Sequence, residues 1–124
     1  MLKETADILA IMDLFPATPG HILVLPKRHI ETIYTMPEEL GAVLIEEAIA
    51  ISKAVKKKLS PDGLNLVQSN EPAAGQTISH FHLHILPRYQ NDSISLRFGH
   101  GPVGAKIEDL ERIAQLIGSE LPSL

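Results

Sequence analysis

Residues 80 to 88 read HFHLHILPR, and the alternation of imidazole with hydrocarbon in this stretch governs how the rest of the chain is read. In an extended strand successive side chains point to opposite faces. His80, His82 and His84 therefore share one face, and Phe81, Leu83 and Ile85 share the other, the face that packs on a core. The chain holds 6 His in 124 residues. Three of them at alternate places should arise by chance in roughly one such chain in 75. Stacked imidazoles bring no packing advantage, because each carries polar nitrogens that need partners. The alternation predicts a strand over Thr77 to Leu86.

Working outward, GLNLVQS (Gly63 to Ser69) alternates as a second strand, and Asn70 to Gln76 (NEPAAGQ) forms a loop of small and turn-forming residues between the two. Upstream, Ile8 to Met12 and His21 to Leu25 are short apolar strands. The stiff turn containing Pro16, Pro19 and Gly20 joins them into a hairpin, with Asp13 and His21 at its turn end. From Pro37 to about Leu59 the period changes. Leu40, Val43, Leu44, Ala48, Ile51, Val55 and Leu59 follow the three- and four-residue steps of an amphipathic helix. Glu38 and Glu39 suit its positive end, and Lys56, Lys57 and Lys58 its negative end, so the lysine run reads as a solvated helix terminus before a phosphate patch. Ile107, Leu110, Ile113, Ala114 and Ile117 mark a second helix closed by Gly118, while Tyr89 to Gly104 carries no assignable pattern. Antiparallel strands with one long central helix and a C-terminal helix make an α+β fold, expected as a single domain over residues 1–124.

Composition narrows the chemistry. An apolar share of 44% and a charged share of 21% belong to a globular chain. With no Cys, disulfides, thiolate catalysis and Cys-ligated metal sites are excluded. A net charge of −4 argues against nucleic acid as a partner. Lys3, Glu4 and Asp7 interrupt any leader-like apolar stretch, and Ile22-Leu23-Val24-Leu25 is far too short to span a bilayer. No membrane partner is expected, and the chain reads as cytoplasmic.

Three readings of the histidines stay open on physical grounds. Imidazoles on one face can bind a metal, although positions i and i+2 of a flat strand lie about 6.5–7 Å apart, wide for one ion. A neutral imidazole is also a good nucleophile toward phosphorus, with flanking histidines to position it or to bind phosphate oxygens. The third reading is a structural surface.

The stretch resembles the signature of the histidine-triad (HIT) nucleotide hydrolases and transferases, in which His and hydrophobic residues alternate. DLFPATPGHILVLPKRHI (Asp13 to Ile30) is similar to a second signature of that family, and AAGQTISHFHLHILPRY (Ala73 to Tyr89) extends the likeness on both sides of the triad. The resemblance implies a HIT-like fold. It also implies hydrolysis of nucleoside phosphoramidates or dinucleoside polyphosphates, adenosine-containing, through a nucleotidyl-histidine, with release of a nucleoside monophosphate. His82 matches the nucleophile, its other ring nitrogen donating to a backbone carbonyl. His80 and His84 match the flanking members, and His21 matches a fourth histidine of the same pocket. Asp13 matches the residue that takes the ribose hydroxyls, and Gln76 and Thr77 match the phosphate-holding loop. Ser69 stands where relatives commonly carry Asn or Gln, with Gln68 and Asn70 beside it; Ser69 and Asn70 are carried forward as nucleotide-binding. Glu71 stands where Gly is common.

The resemblance implies a homodimer sharing a continuous sheet and a small-molecule nucleotide as partner. No cofactor or metal is required for the covalent step, although a polyphosphate substrate could arrive with Mg2+. His29 and His80 match the histidine zinc ligands of members that also use a Cys-x-x-C, which this chain lacks. The rival from another class is a nucleotide-binding or regulatory module with weak or no catalysis.

Overall fold

A computed structural model describes residues 1–96 and 104–122. The chain divides into two compact units, Met1–Ile94 and Ser95–Leu124. The first unit holds the sheet and the long helix. Its strands are β1 (Lys3–Glu4), β2 (Ile8–Met12), β3 (Ile22–Pro26), β4 (Gly63–Gln68) and β5 (Leu83–Arg88), and the helix α1 is Glu38–Leu59. They form one five-stranded sheet in the order β1-β2-β3-β5-β4 with every pairing antiparallel. The second unit holds α2 (Ile107–Gly118), where the apolar period placed a helix. This is the expected α+β architecture. β1 was not foreseen, because two residues leave no periodic trace.

The pleat explains which residues form the core. Ile8 and Ala10 of β2, Ile22 and Val24 of β3, and Leu83 and Ile85 of β5 are buried on one face of the sheet. Against them lie Leu44, Ala48, Ile51 and Val55, spaced one face apart on α1. Burying each Leu, Ile or Val contributes about 1.5–3 kcal/mol before the chain-ordering cost is counted. Leu59, the last residue of the predicted stripe, is exposed instead, because α1 ends there at Ser60 in the left-handed conformation (φ 48°, ψ 50°). Lys56 Nζ donates to the Pro61 carbonyl at 3.0 Å, so the first lysine of the run serves the helix end.

The triad strand is shorter at its start than predicted. The ladder begins at Leu83, not Thr77, and runs on through Pro87 to Arg88. Its neighbour β3 sets that limit. Val24 pairs with Leu83, so two residues further along the register Phe81 would face Pro26, which has no N–H to offer. The Phe81 amide donates instead to the Ile30 carbonyl at 2.6 Å. The alternation itself survives outside the ladder. Phe81, Leu83 and Ile85 are buried while His80, His82 and His84 are half-buried.

Candidate active site

The open face of the sheet gathers the histidines. His84 pairs in register with Leu23 of β3, and His21 lies two residues before Leu23, on the same side of the pleat. The Asp13 amide donates to the His21 carbonyl at 3.0 Å, closing the hairpin where the sequence placed its turn. His21 is 7% exposed. Its Nε2 lies 2.8 Å from Nδ1 of His84. The rings of His82 and His84 meet edge to face with centroids 4.9 Å apart.

His82 has a defined tautomer. Its Nδ1 is 2.8 Å from the His80 carbonyl oxygen. A carbonyl only accepts, so Nδ1 carries the proton and the neutral ring keeps its lone pair on Nε2. That is the arrangement a nucleophilic imidazole requires. His80 turns elsewhere, its Nε2 donating to the Pro26 carbonyl at 2.8 Å beside the ring of His29. Burial holds the pKa of His84 below its ordinary value, reinforced by the neighbouring His82 and His21 and opposed by Asp13. Burial likewise lowers His21, with Asp13 opposing.

The remaining site residues occupy two loops. Asp13 is half-buried; its Oδ1 accepts from the Phe15 amide at 2.9 Å, and its Oδ2 stands 3.6 Å from Nδ1 of His21. Asn70 Oδ1 accepts from the Ile33 amide at 2.7 Å, and its side-chain amide is doubly bonded to that of Gln68. Ser69 is half-buried between them, and its carbonyl accepts from Gln68 Nε2 at 3.2 Å. Gln76 bridges the walls of a cleft. Its Oε1 accepts from the Glu71 amide at 2.6 Å and its Nε2 donates to the Glu31 carbonyl at 2.8 Å. Glu31, Glu71, Gln76, Thr77 and Ser79 line this cleft of about 420 Å³. Gly75 at φ 94° makes the turn that leads into it.

Sequence reasoning missed Thr18 and Tyr89. The Thr18 hydroxyl, in a residue only 4% exposed, donates to the Pro87 carbonyl at 2.7 Å. The Tyr89 hydroxyl donates to the Pro19 carbonyl at 2.8 Å. Together they tie the hairpin turn to the end of β5. The only sequence signal was a polar residue inside a proline-rich turn. Arg88, at the end of β5, donates to both oxygens of Asp92, to Asn65 Oδ1 and to the Ile94 carbonyl. The Arg88 guanidinium holds the Asp92 carboxyl well below the usual carboxylate range. His100 lies outside the described residues.

Two groupings bring possible metal donors close together. Asp13, His21 and His84 each bring one donor atom within 4.8 Å of the others, but the two central nitrogens are already bonded to each other. His29 and His80 have ring centroids 5.6 Å apart, and His80 Nε2 is committed to Pro26. Neither grouping offers the three or four free lone pairs a zinc ion requires.

The family model described as the HIT domain matches residues 1–91. The chain belongs to the HIT family. Protein hit of Bacillus subtilis strain 168 is 36% identical over 121 residues, spanning 97% of this chain and 83% of that protein. The adenosine 5'-monophosphoramidase hnt1 of Schizosaccharomyces pombe is 31% identical over 120 residues, spanning 97% and 86%. A crystal structure of a HIT family member from Bacillus subtilis superposes with a TM-score of 0.92 at 35% identity, covering 99% of this chain and 88% of that one. A zinc-bound histidine triad family protein from Mycobacterium smegmatis gives 0.70 at 34% identity, covering 95% and 86%. The HIT fold of this chain thus places His21 and His84 on the open face of a sheet backed by α1.

Proposed function

We propose that this HIT protein is a nucleotide hydrolase acting on nucleoside phosphoramidates or dinucleoside polyphosphates, adenosine-containing, through a nucleotidyl-His82 intermediate. The observation that carries the reading is the Nδ1–H of His82 held on the His80 carbonyl at 2.8 Å, which leaves Nε2 with its lone pair. The likeness to an adenosine 5'-monophosphoramidase supports the substrate class.

For a phosphoramidate, Nε2 of His82 attacks the α-phosphorus as the P–N bond breaks. The leaving nitrogen takes that electron pair and one proton. Water then forms the new P–O bond, the P–N bond to His82 breaks, and its electron pair returns to Nε2. The water gives up two protons, one replacing the proton taken in the first step and one taken up by the released amine. Asp13 is assigned the ribose hydroxyls, and its Oδ2 makes no hydrogen bond among the described residues. Ser69, Asn70, Gln76 and Thr77 are assigned the phosphate and leaving-group side. His84, His21 and His80 are assigned to orienting and stabilising the reacting phosphate. The covalent step is read as metal-free, with Mg2+ arriving only on a polyphosphate substrate.

Association is read as a homodimer extending the sheet. β4 is one of its two edges, and Leu66 there is 47% exposed. A cytoplasmic location is part of the same reading, and no helix among the described residues is long and apolar enough to cross a membrane.

Replacing His82 by Ala should abolish release of AMP from adenosine 5'-phosphoramidate while leaving AMP affinity within about threefold by calorimetry, because one transition-state contact is lost and most ground-state contacts remain. Undiminished AMP release would remove His82 from the nucleophile's role. A second reading, a nucleotide-binding module without efficient turnover, is favoured by one observation. Both ends of the Gln76 amide are already bonded to backbone. Tight binding of the phosphoramidate by the unaltered protein without AMP release would select it.

A further inference from the structure

Two hydrogen bonds run in series from the hairpin turn to the triad. The Ala17 amide donates to Nδ1 of His21 at 3.1 Å, and Nε2 of His21 lies 2.8 Å from Nδ1 of His84. A backbone amide only donates, so Nδ1 of His21 is the acceptor and the neutral ring carries its proton on Nε2. That N–H donates to Nδ1 of His84, which leaves the proton of His84 on its own Nε2. The direction of the whole series is therefore set by one backbone N–H outside the triad.

The position of that N–H depends on Thr18. The Thr18 carbonyl accepts from the His21 amide at 3.2 Å, and its buried hydroxyl fastens the turn to the Pro87 carbonyl at 2.7 Å. We propose that Thr18 is a positioning residue: its bond to Pro87 holds the Ala17 amide on His21, and this fixes His84 as the Nε2–H tautomer. A polar hydroxyl buried in a turn between Ala17 and Pro19 needs a reason, and this is the one the geometry supplies.

The consequence is that His84 presents a hydrogen-bond donor at Nε2 to the reacting phosphate, and not a lone pair that would repel its oxygens. Protonating either ring would displace a hydrogen bond, since the lone pairs at Nδ1 of both are already occupied. Burial acts in the same direction on both residues. His21 thus works through His84, and Thr18 works through His21. The effect on turnover rests on the hydrolase reading above, whereas the tautomer does not.

The test is nitrogen NMR of ring-labelled protein at pH 7.5, without substrate, combined with turnover of adenosine 5'-phosphoramidate. In the unaltered protein His84 should show a pyrrole-type Nε2 and a pyridine-type Nδ1; the reverse assignment would overturn the proposal without any variant being made. Thr18→Val should give averaged ring signals for His84 and a kcat lower by about tenfold at nearly constant KM. Thr18→Ser, which restores the hydroxyl, should recover both. Unaltered His84 signals in Thr18→Val, or a Thr18→Ser variant as impaired as the valine, would contradict the positioning role. If the NMR outcome holds while the unaltered protein releases no AMP, the tautomer lock stands and the hydrolase reading falls.

Discussion

At the scale of single residues, the triad is three imidazoles with three different hydrogen-bond partners. Alternation predicts that they share a face, and all three are half-buried there. Alternation says nothing of which nitrogen each ring presents. Those choices come from the Pro26 carbonyl for His80, the His80 carbonyl for His82 and His21 for His84, none of which is a sequence neighbour fixed by the pattern except the second. The pair His21 and His84 also predicts a pH dependence of stability. Both have pKa values lowered by burial from an ordinary 6.5. Below that value the unfolded chain binds more protons than the folded one, so stability is full above about pH 6.5 and falls as the pH drops through the folded values. The urea midpoint should therefore be lower at pH 5.5 than at pH 7.5. An equal or higher midpoint at pH 5.5 would contradict the burial of these two rings as neutral groups.

At the scale of elements, what the sequence discloses depends on whether packing or a neighbour decides the outcome. The long helix is legible because its apolar period runs unbroken and its charged ends match the helix dipole. The start of β5 is not, because Pro26 of another strand removes the partner that would have extended the ladder. Composition predicts the loop from Asn70 to Gln76, but not the ties that hold it, Asn70 to Ile33 and Gln76 to Glu31, which join residues distant in sequence. One feature of that loop was legible. Glu71 stands where the family resemblance favours glycine, and it adopts φ 73°, ψ 156°, a region that is essentially glycine-only and costs about 1–3 kcal/mol. Glycine loses more entropy on ordering, about 0.4–1 kcal/mol. Glu71→Gly should accordingly stabilise the fold by about 1 kcal/mol and raise Tm by about 4 °C, read by differential scanning calorimetry. A lower Tm would show that the Glu71 side chain holds the loop in a way its backbone conformation does not reveal.

At the scale of the whole molecule, the sheet places its chemistry by turning one face to α1 and leaving the other to the histidines. The hydrophobic side of that arrangement follows from patterning, since Ile8, Val24, Leu83 and Ile85 lie where a period of two puts them. The polar side is set by long-range register. His21 and His84 meet only because β3 pairs with β5 with Ile22 opposite Ile85, and no local signal carries that pairing. A net charge of −4 is compatible with a phosphate ligand, because a few imidazole and amide donors on one face suffice to bind it. The central claim is that this face forms a covalent bond to the nucleotide at His82. Rapid-quench single turnover of labelled adenosine 5'-phosphoramidate, stopped in alkali and followed by peptide mapping, tests it most directly. Adenylate on the His82 peptide should rise and then decay as AMP appears; AMP formed with no protein-bound adenylate, or adenylate on another residue, would contradict the account.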